Sequence, residues 1–117
     1  MGAPSSPPQS GSGRVGTVIV DHIDIPAPVQ TVRGLLAQPW DFLPDLHIGA
    51  DRVPVVWQDG GSEHEASKSV AVLSTSHQTS RVVVRLRLPF TLRPSDLDTI
   101  ETDVRSELER LRLLAVL

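Results

Sequence analysis

The sequence predicts an α+β domain in which an antiparallel sheet packs on one long C-terminal helix. Three observations lead there. Leu97, Ile100, Val104, Leu108, Leu111 and Leu114 recur at steps of three and four near the end of the chain, which puts them on one side of an α-helix. Residues 81–90 alternate: Val82, Val84, Leu86, Leu88 and Phe90 face one way, and Arg81, Val83, Arg85 and Arg87 the other, the period of a half-buried strand. Helix stripe and sheet face are both apolar, and each is the natural cover of the other.

Residues 1–13 (MGAPSSPPQSGSG) contain too little apolar surface to offset the entropy of ordering and read as a disordered tail. Residues 14–117 form a single domain. Residues 14–25 (RVGTVIVDHIDI) are the first strand. Thr17, Ile19, Asp21, Ile23 and Ile25 share one side, and Val18, Val20, His22 and Asp24 the other. Near its start the two sides are poorly separated, which suggests burial on both faces or a bulge. Pro26 and Pro28 stop the strand, and Pro28 suits the first turn of a short helix over 29–38 with Val29, Val32, Leu35 and Leu36 inward. Gly34 weakens that helix or permits close packing. Residues 39–46 (PWDFLPDL) read as an apolar corner of helical turns and loop, with Trp40 and Phe42 over one end of the core.

Residues 52–58 are a strand, which Pro54 places at an edge or a bulge. Asp59-Gly60-Gly61-Ser62 is a turn, and a further strand lies within 63–75, clearest over 69–75. Residues 76–80 (SHQTS) turn the chain into the 81–90 strand. Short links make these strands a meander. The last helix starts at Ser95, read as its cap, with Pro94 as the boundary; Glu101 and Arg105 are spaced for an i,i+4 ion pair. About 22 residues of helix run roughly 33 Å, enough to cross a small domain.

Composition narrows the function classes. The chain has 117 residues, a net charge of −3 and no Cys, which excludes disulfides, thiolate nucleophiles and thiolate metal sites. That charge and the scarcity of aromatics (Trp40, Phe42, Trp57 and Phe90, with no Tyr) argue against nucleic-acid binding. No apolar run reaches the ~20 residues of a membrane span. No basic stretch followed by an apolar one opens the sequence, so a secretory signal is not expected and a cytoplasmic location is.

The segment Ile25-Pro26-Ala27-Pro28-Val29-Gln30-Thr31-Val32-Arg33-Gly34-Leu35-Leu36 resembles the opening of the START-like, helix-grip superfamily, which includes polyketide cyclases/dehydrases and lipid-transfer proteins. The close of the chain, a strand followed by a long amphipathic helix, is similar too. The resemblance extends over about 23–116 and is specific near 23–46. It implies a curved antiparallel sheet wrapped around the last helix, with an apolar cavity between them. Full members have six or seven strands; here there is room for three or four after the first. The resemblance therefore implies a reduced helix-grip domain with little pocket, or one whose missing wall comes from a second copy. An unrelated α+β sandwich is the other arrangement the pattern allows.

In a helix-grip domain the ligand would lie against Val84, Leu86, Leu88, Ile100, Val104 and Leu108, with Trp57 near the mouth and Trp40 and Phe42 beside it. The expected function is binding of a small hydrophobic ligand, an apolar metabolite carried or acted upon, with no cofactor. The alternative is a non-catalytic interaction or assembly protein that self-associates, as a homodimer, through its sheet edge or terminal helix. Whether the domain is an enzyme is open. His22, between Asp21 and Asp24, and His47, read as a loop residue two after Asp45, are the candidate acid–base groups. The His residues lack metal-ligand spacing, so no metal is expected. His64 and His77 read as solvated loop residues. Arg81, Arg85 and Arg87 form a basic row: the wet face of a sheet, or a dock for an anionic partner.

Overall fold

The computed structural model describes residues 16–37, 42–58 and 64–117. The expected tail, the start of the first strand, the last residue of the expected 29–38 helix, Trp40 and the Asp59–Ser62 turn lie outside the described residues. Seven elements follow in order: β1 (Thr17–Ile25), α1 (Val29–Ala37), β2 (Asp45–Ile48), β3 (Asp51–Trp57), β4 (Ala66–Ser74), β5 (Ser80–Leu88) and α2 (Pro94–Ala115). The strands form one sheet in the order β1-β5-β4-β3-β2. It curls into a half-barrel around α2. The helix touches both edge strands, β1 and β2, and so lies across the opening between them. The α+β architecture with a curved sheet around the terminal helix is thus as expected.

The local pairing departs from a meander. β1–β5, β5–β4 and β2–β3 are antiparallel, but β3 and β4 run parallel, with Val55 opposite Ala66 and Trp57 opposite Lys68. β2 is a strand where a helical corner was expected. It returns through a two-residue turn in which Gly49 takes φ 63°. A positive φ at the first central residue suits the twist of a hairpin and is cheap for Gly alone. Pro54 is internal, not at an edge. It faces Asp45 of β2, and pairing with β4 begins one residue later at Val55, so its missing N–H interrupts no bond to β4.

β1 pairs with β5 without a break from Thr17–Leu88 to Ile25–Ser80, so no bulge interrupts the strand among the described residues. Ile19, Ile23 and Ile25 are buried, whereas Val18 and Val20 are 51% and 60% exposed. The core gathers Val82, Val84, Leu86 and Leu88 of β5 against Ile100, Val104, Leu108 and Leu111 of α2. Val32 of α1 is buried, with Leu35 and Leu36 packed on the same core. Leu114, expected on the buried stripe, is 38% exposed because α2 has run past its cover there.

Two expectations about α2 are corrected. Its N-cap is Arg93, with Pro94 inside the first turn, so Ser95 is a helical residue and not the cap. Arg105 turns from Glu101 to Asp21 on β1, at 2.9 Å, and to Glu109 at 3.7 Å. A tertiary carboxylate within reach has displaced the local pair.

Candidate functional site

The parallel pairing of β3 and β4 builds the most distinctive site. Lys68 pairs with Leu86 on the far side of β4 and with Trp57 on the near side, and Leu86 faces the core. Side chains opposite one another share a face, so Lys68 points inward among apolar residues and is 4% exposed. A buried ammonium must be surrounded by acceptors. Its Nζ donates to the carbonyls of Phe42, at 2.6 Å, and Leu43, at 2.9 Å. It also lies 4.8 Å from the centre of the Trp57 ring, inside the range of a cation–π contact.

Leu43 has φ 53°, the left-handed region that a branched side chain rarely enters. Lys68 therefore holds a strained corner shut while presenting its stem to the surface between β3 and β4. There an open groove of about 450 Å³ is lined by Trp57, Gln58, Lys68, Ser69 and Val70. Trp57 is 44% exposed.

The expected site residues disperse. Val84, Leu86, Leu88, Ile100, Val104 and Leu108 all belong to the buried core, and none of them borders the Trp57 groove. Phe42 is buried in the same core, and its backbone carbonyl meets Lys68. Trp40 lies outside the described residues.

His22 and His47 stand on opposite edge strands, β1 and β2, and both are exposed. His47 is thus a strand residue and not a loop residue. It borders a cleft of about 250 Å³ with Asp45, Asp103, Ser106 and Glu107. In that cleft Glu107 Oε1 is shielded from solvent with no hydrogen-bond partner among the described residues, while Oε2 lies 3.3 Å from Arg110. Among the described residues no cluster of His, Asp or Glu is arranged to hold a metal ion. No helix among them is long and apolar enough to cross a membrane.

The basic row lies on the convex face of the sheet. Arg81 is held by Asp24, Nε to Oδ1 at 2.7 Å and a terminal nitrogen to Oδ2 at 3.3 Å. That hydrogen-bonded guanidinium lowers the Asp24 pKa below its ordinary value, and the carboxylate raises that of Arg81. Arg85 and Arg87 are exposed and form no ion pair among the described residues.

Sequence reasoning passed over Lys68. Its signal was present in the ASKSVAVLS run: Ala66, Lys68, Val70 and Val72 share one side of a strand, and a lysine in an apolar row needs an acceptor inside the fold. No family model, no curated protein and no solved structure matches this chain.

Proposed function

We propose that this chain is a binding domain for a small, largely apolar molecule, held in the groove between β3 and β4. The observation that carries the reading is Trp57. A large aromatic is left 44% exposed on the core side of the sheet, beside Val70 in a groove of about 450 Å³. That volume falls in the range of small-molecule sites, about 300–1,000 Å³. A planar group of the ligand lies on the indole, and a polar substituent reaches Gln58 or Ser69 at the rim. Lys68 keeps the floor rigid. The helix-grip resemblance supports the same class of ligand but places it under α2. Here the groove at the sheet surface takes that role, because the residues beneath α2 belong to the buried core. His22 and His47 are both exposed on edge strands, away from this groove, which favours binding over acid–base catalysis there.

The test is titration with 1-anilinonaphthalene-8-sulfonate, an apolar fluorescent probe. The reading expects a saturable site whose affinity falls about tenfold in Trp57→Ala, the equivalent of roughly 1.4 kcal/mol of lost stacking. A non-saturable response, or one that Trp57→Ala leaves unchanged, overturns it.

One observation favours the second reading, an assembly protein. At the end of α2, Leu113 is 61% exposed, Val116 51% and Leu117 97%, a cluster of apolar side chains without cover. Light scattering that gives a monomer at low and high concentration removes that reading.

A further inference from the structure

The outer margin of β1 is a second surface, separate from the Trp57 groove. Hydrogen bonds in the sheet show which backbone groups there are open. Thr75 N–H donates to the Thr79 carbonyl at 3.1 Å, and antiparallel pairs alternate between bonded and non-bonded. Residues 81, 83, 85 and 87 of β5 therefore bond to β4, and residues 80, 82, 84, 86 and 88 bond to β1. In the observed register these meet Ile25, Ile23, Asp21, Ile19 and Thr17. The N–H and C=O groups of Val18, Val20, His22 and Asp24 then point away from the sheet.

The margin is closed at one of those places. His22 N–H donates to Oδ1 of Asp21 at 2.8 Å, and the same oxygen takes Arg105 at 2.9 Å. Val18 and Val20 are exposed, and no described strand pairs beside them. The stretch along Val18 and Val20 is thus short and is bounded by that local bond at the His22 N–H.

Charge on its two faces differs in sign. On the convex face, Val18 is opposite Arg87 and Val20 opposite Arg85, the two arginines without an ion pair among the described residues. On the concave face, a groove of about 220 Å³ runs between β1 and α2, lined by Ile19, Val20, Asp21, Glu101 and Val104. Asp21 is engaged by Arg105, whereas Glu101 is exposed with no ion pair among the described residues.

We propose that an extended segment of a partner protein adds to β1 as a sixth strand along Val18 and Val20. Its convex-face side chains are acidic, and the residue between them is a lysine or arginine. Strands lie about 4.8 Å apart, so the added strand sits about 10 Å from β5, a gap that an arginine and a glutamate span together. The basic side chain lays its stem along Ile19 and Val104 and its head at Glu101. Backbone bonds supply affinity, and the two faces select the sequence. A second copy of this chain fits poorly. Two β1 margins joined would place the Arg85 and Arg87 rows of both copies on one face, about 14 Å apart, and would offer neither row an acidic mate.

The experiment is an amide NMR titration of the full chain with the blocked peptide Thr-Val-Thr-Glu-Lys-Glu-Thr-Val-Thr. The proposal expects saturable shifts centred on the Val18 and Val20 amides. It expects a loss of about tenfold in affinity for the double variant Arg85→Glu/Arg87→Glu, recovered when lysines replace the peptide's glutamates. Both positions are exposed, so the variant keeps the fold, which the remaining amide spectrum verifies. Three results overturn the proposal: no shift at about 1 mM peptide, equal binding by the variant, or a dimer of the free chain with Val18 and Val20 at its interface.

Discussion

The ammonium of Lys68 and the carbonyl of Phe42 lie 2.6 Å apart inside the protein. The bond ties the middle strand of the sheet to the segment that enters β2, across 26 residues of chain. The neighbouring bond to Leu43 pins the residue whose φ is positive. Lys68→Met keeps the stem and removes the donors, and the Leu43 carbonyl loses its ammonium. An unsatisfied buried group costs about 1–3 kcal/mol, so the expected loss is at least about 1 kcal/mol in urea unfolding. A loss below about 0.5 kcal/mol would show that other donors serve both carbonyls.

Two glycines should respond in opposite directions to alanine. Neither would meet another atom within 4 Å, so space does not distinguish them. Gly49 has φ 63°, and a Cβ in that conformation costs about 1–2 kcal/mol. Gly34 sits within α1, where alanine gains about 0.5–1 kcal/mol. Thermal unfolding of Gly49→Ala and Gly34→Ala should therefore move Tm down and up respectively. A shared direction would contradict the assigned backbone.

Along α2 the cost of truncation should fall abruptly near the C-terminus. Leu108 is fully buried, and Leu108→Ala should cost about 2–5 kcal/mol in chemical denaturation. Leu113 is 61% exposed, and Leu113→Ser should change stability by no more than about 0.5 kcal/mol. Comparable losses at both positions would mean that something covers the helix end in solution.

The Asp24–Arg81 pair sets a pH dependence of known sign. Its hydrogen bond from Arg81 lowers the Asp24 pKa from an ordinary 3.8. A carboxyl whose folded pKa is depressed adds stability above its unfolded pKa, and the gain is lost as pH falls through the folded value. The pair thus acts fully at neutral pH and fades only below about 3.8. NMR titration should give Asp24 a midpoint under that value, moving upward in Arg81→Gln. A wild-type midpoint at or above it would contradict the pairing in solution.

What the sequence showed plainly was periodicity. Ile100, Val104, Leu108 and Leu111 lie on the buried stripe of α2, and Val82, Val84, Leu86 and Leu88 form the inward row of β5. A repeat marks a face but not where its cover stops, so the pattern alone counts Leu114 as buried. Alternation also carries no direction, and nothing in residues 66–74 distinguishes a strand parallel to β3 from one antiparallel to it. β2 has four residues next to a proline-rich corner, too few to show a period. Arg105 had carboxylates available locally, and only the fold brings Asp21 to it. The groove escaped notice because it depends on Trp57 and Lys68 becoming neighbours through that parallel pairing.

The register of β1 has a consequence for synthesis. Thr17 finds its place beside Leu88, so β1 has no partner strand among the described residues until about seventy further residues have been made. At about 5–20 residues per second, that wait lasts on the order of several seconds. During it the valines and isoleucines of the strand have neither sheet nor helix to shelter them. Nascent chains of this protein should be most vulnerable to chaperone capture or misassembly just before β5 emerges, and safe soon afterwards.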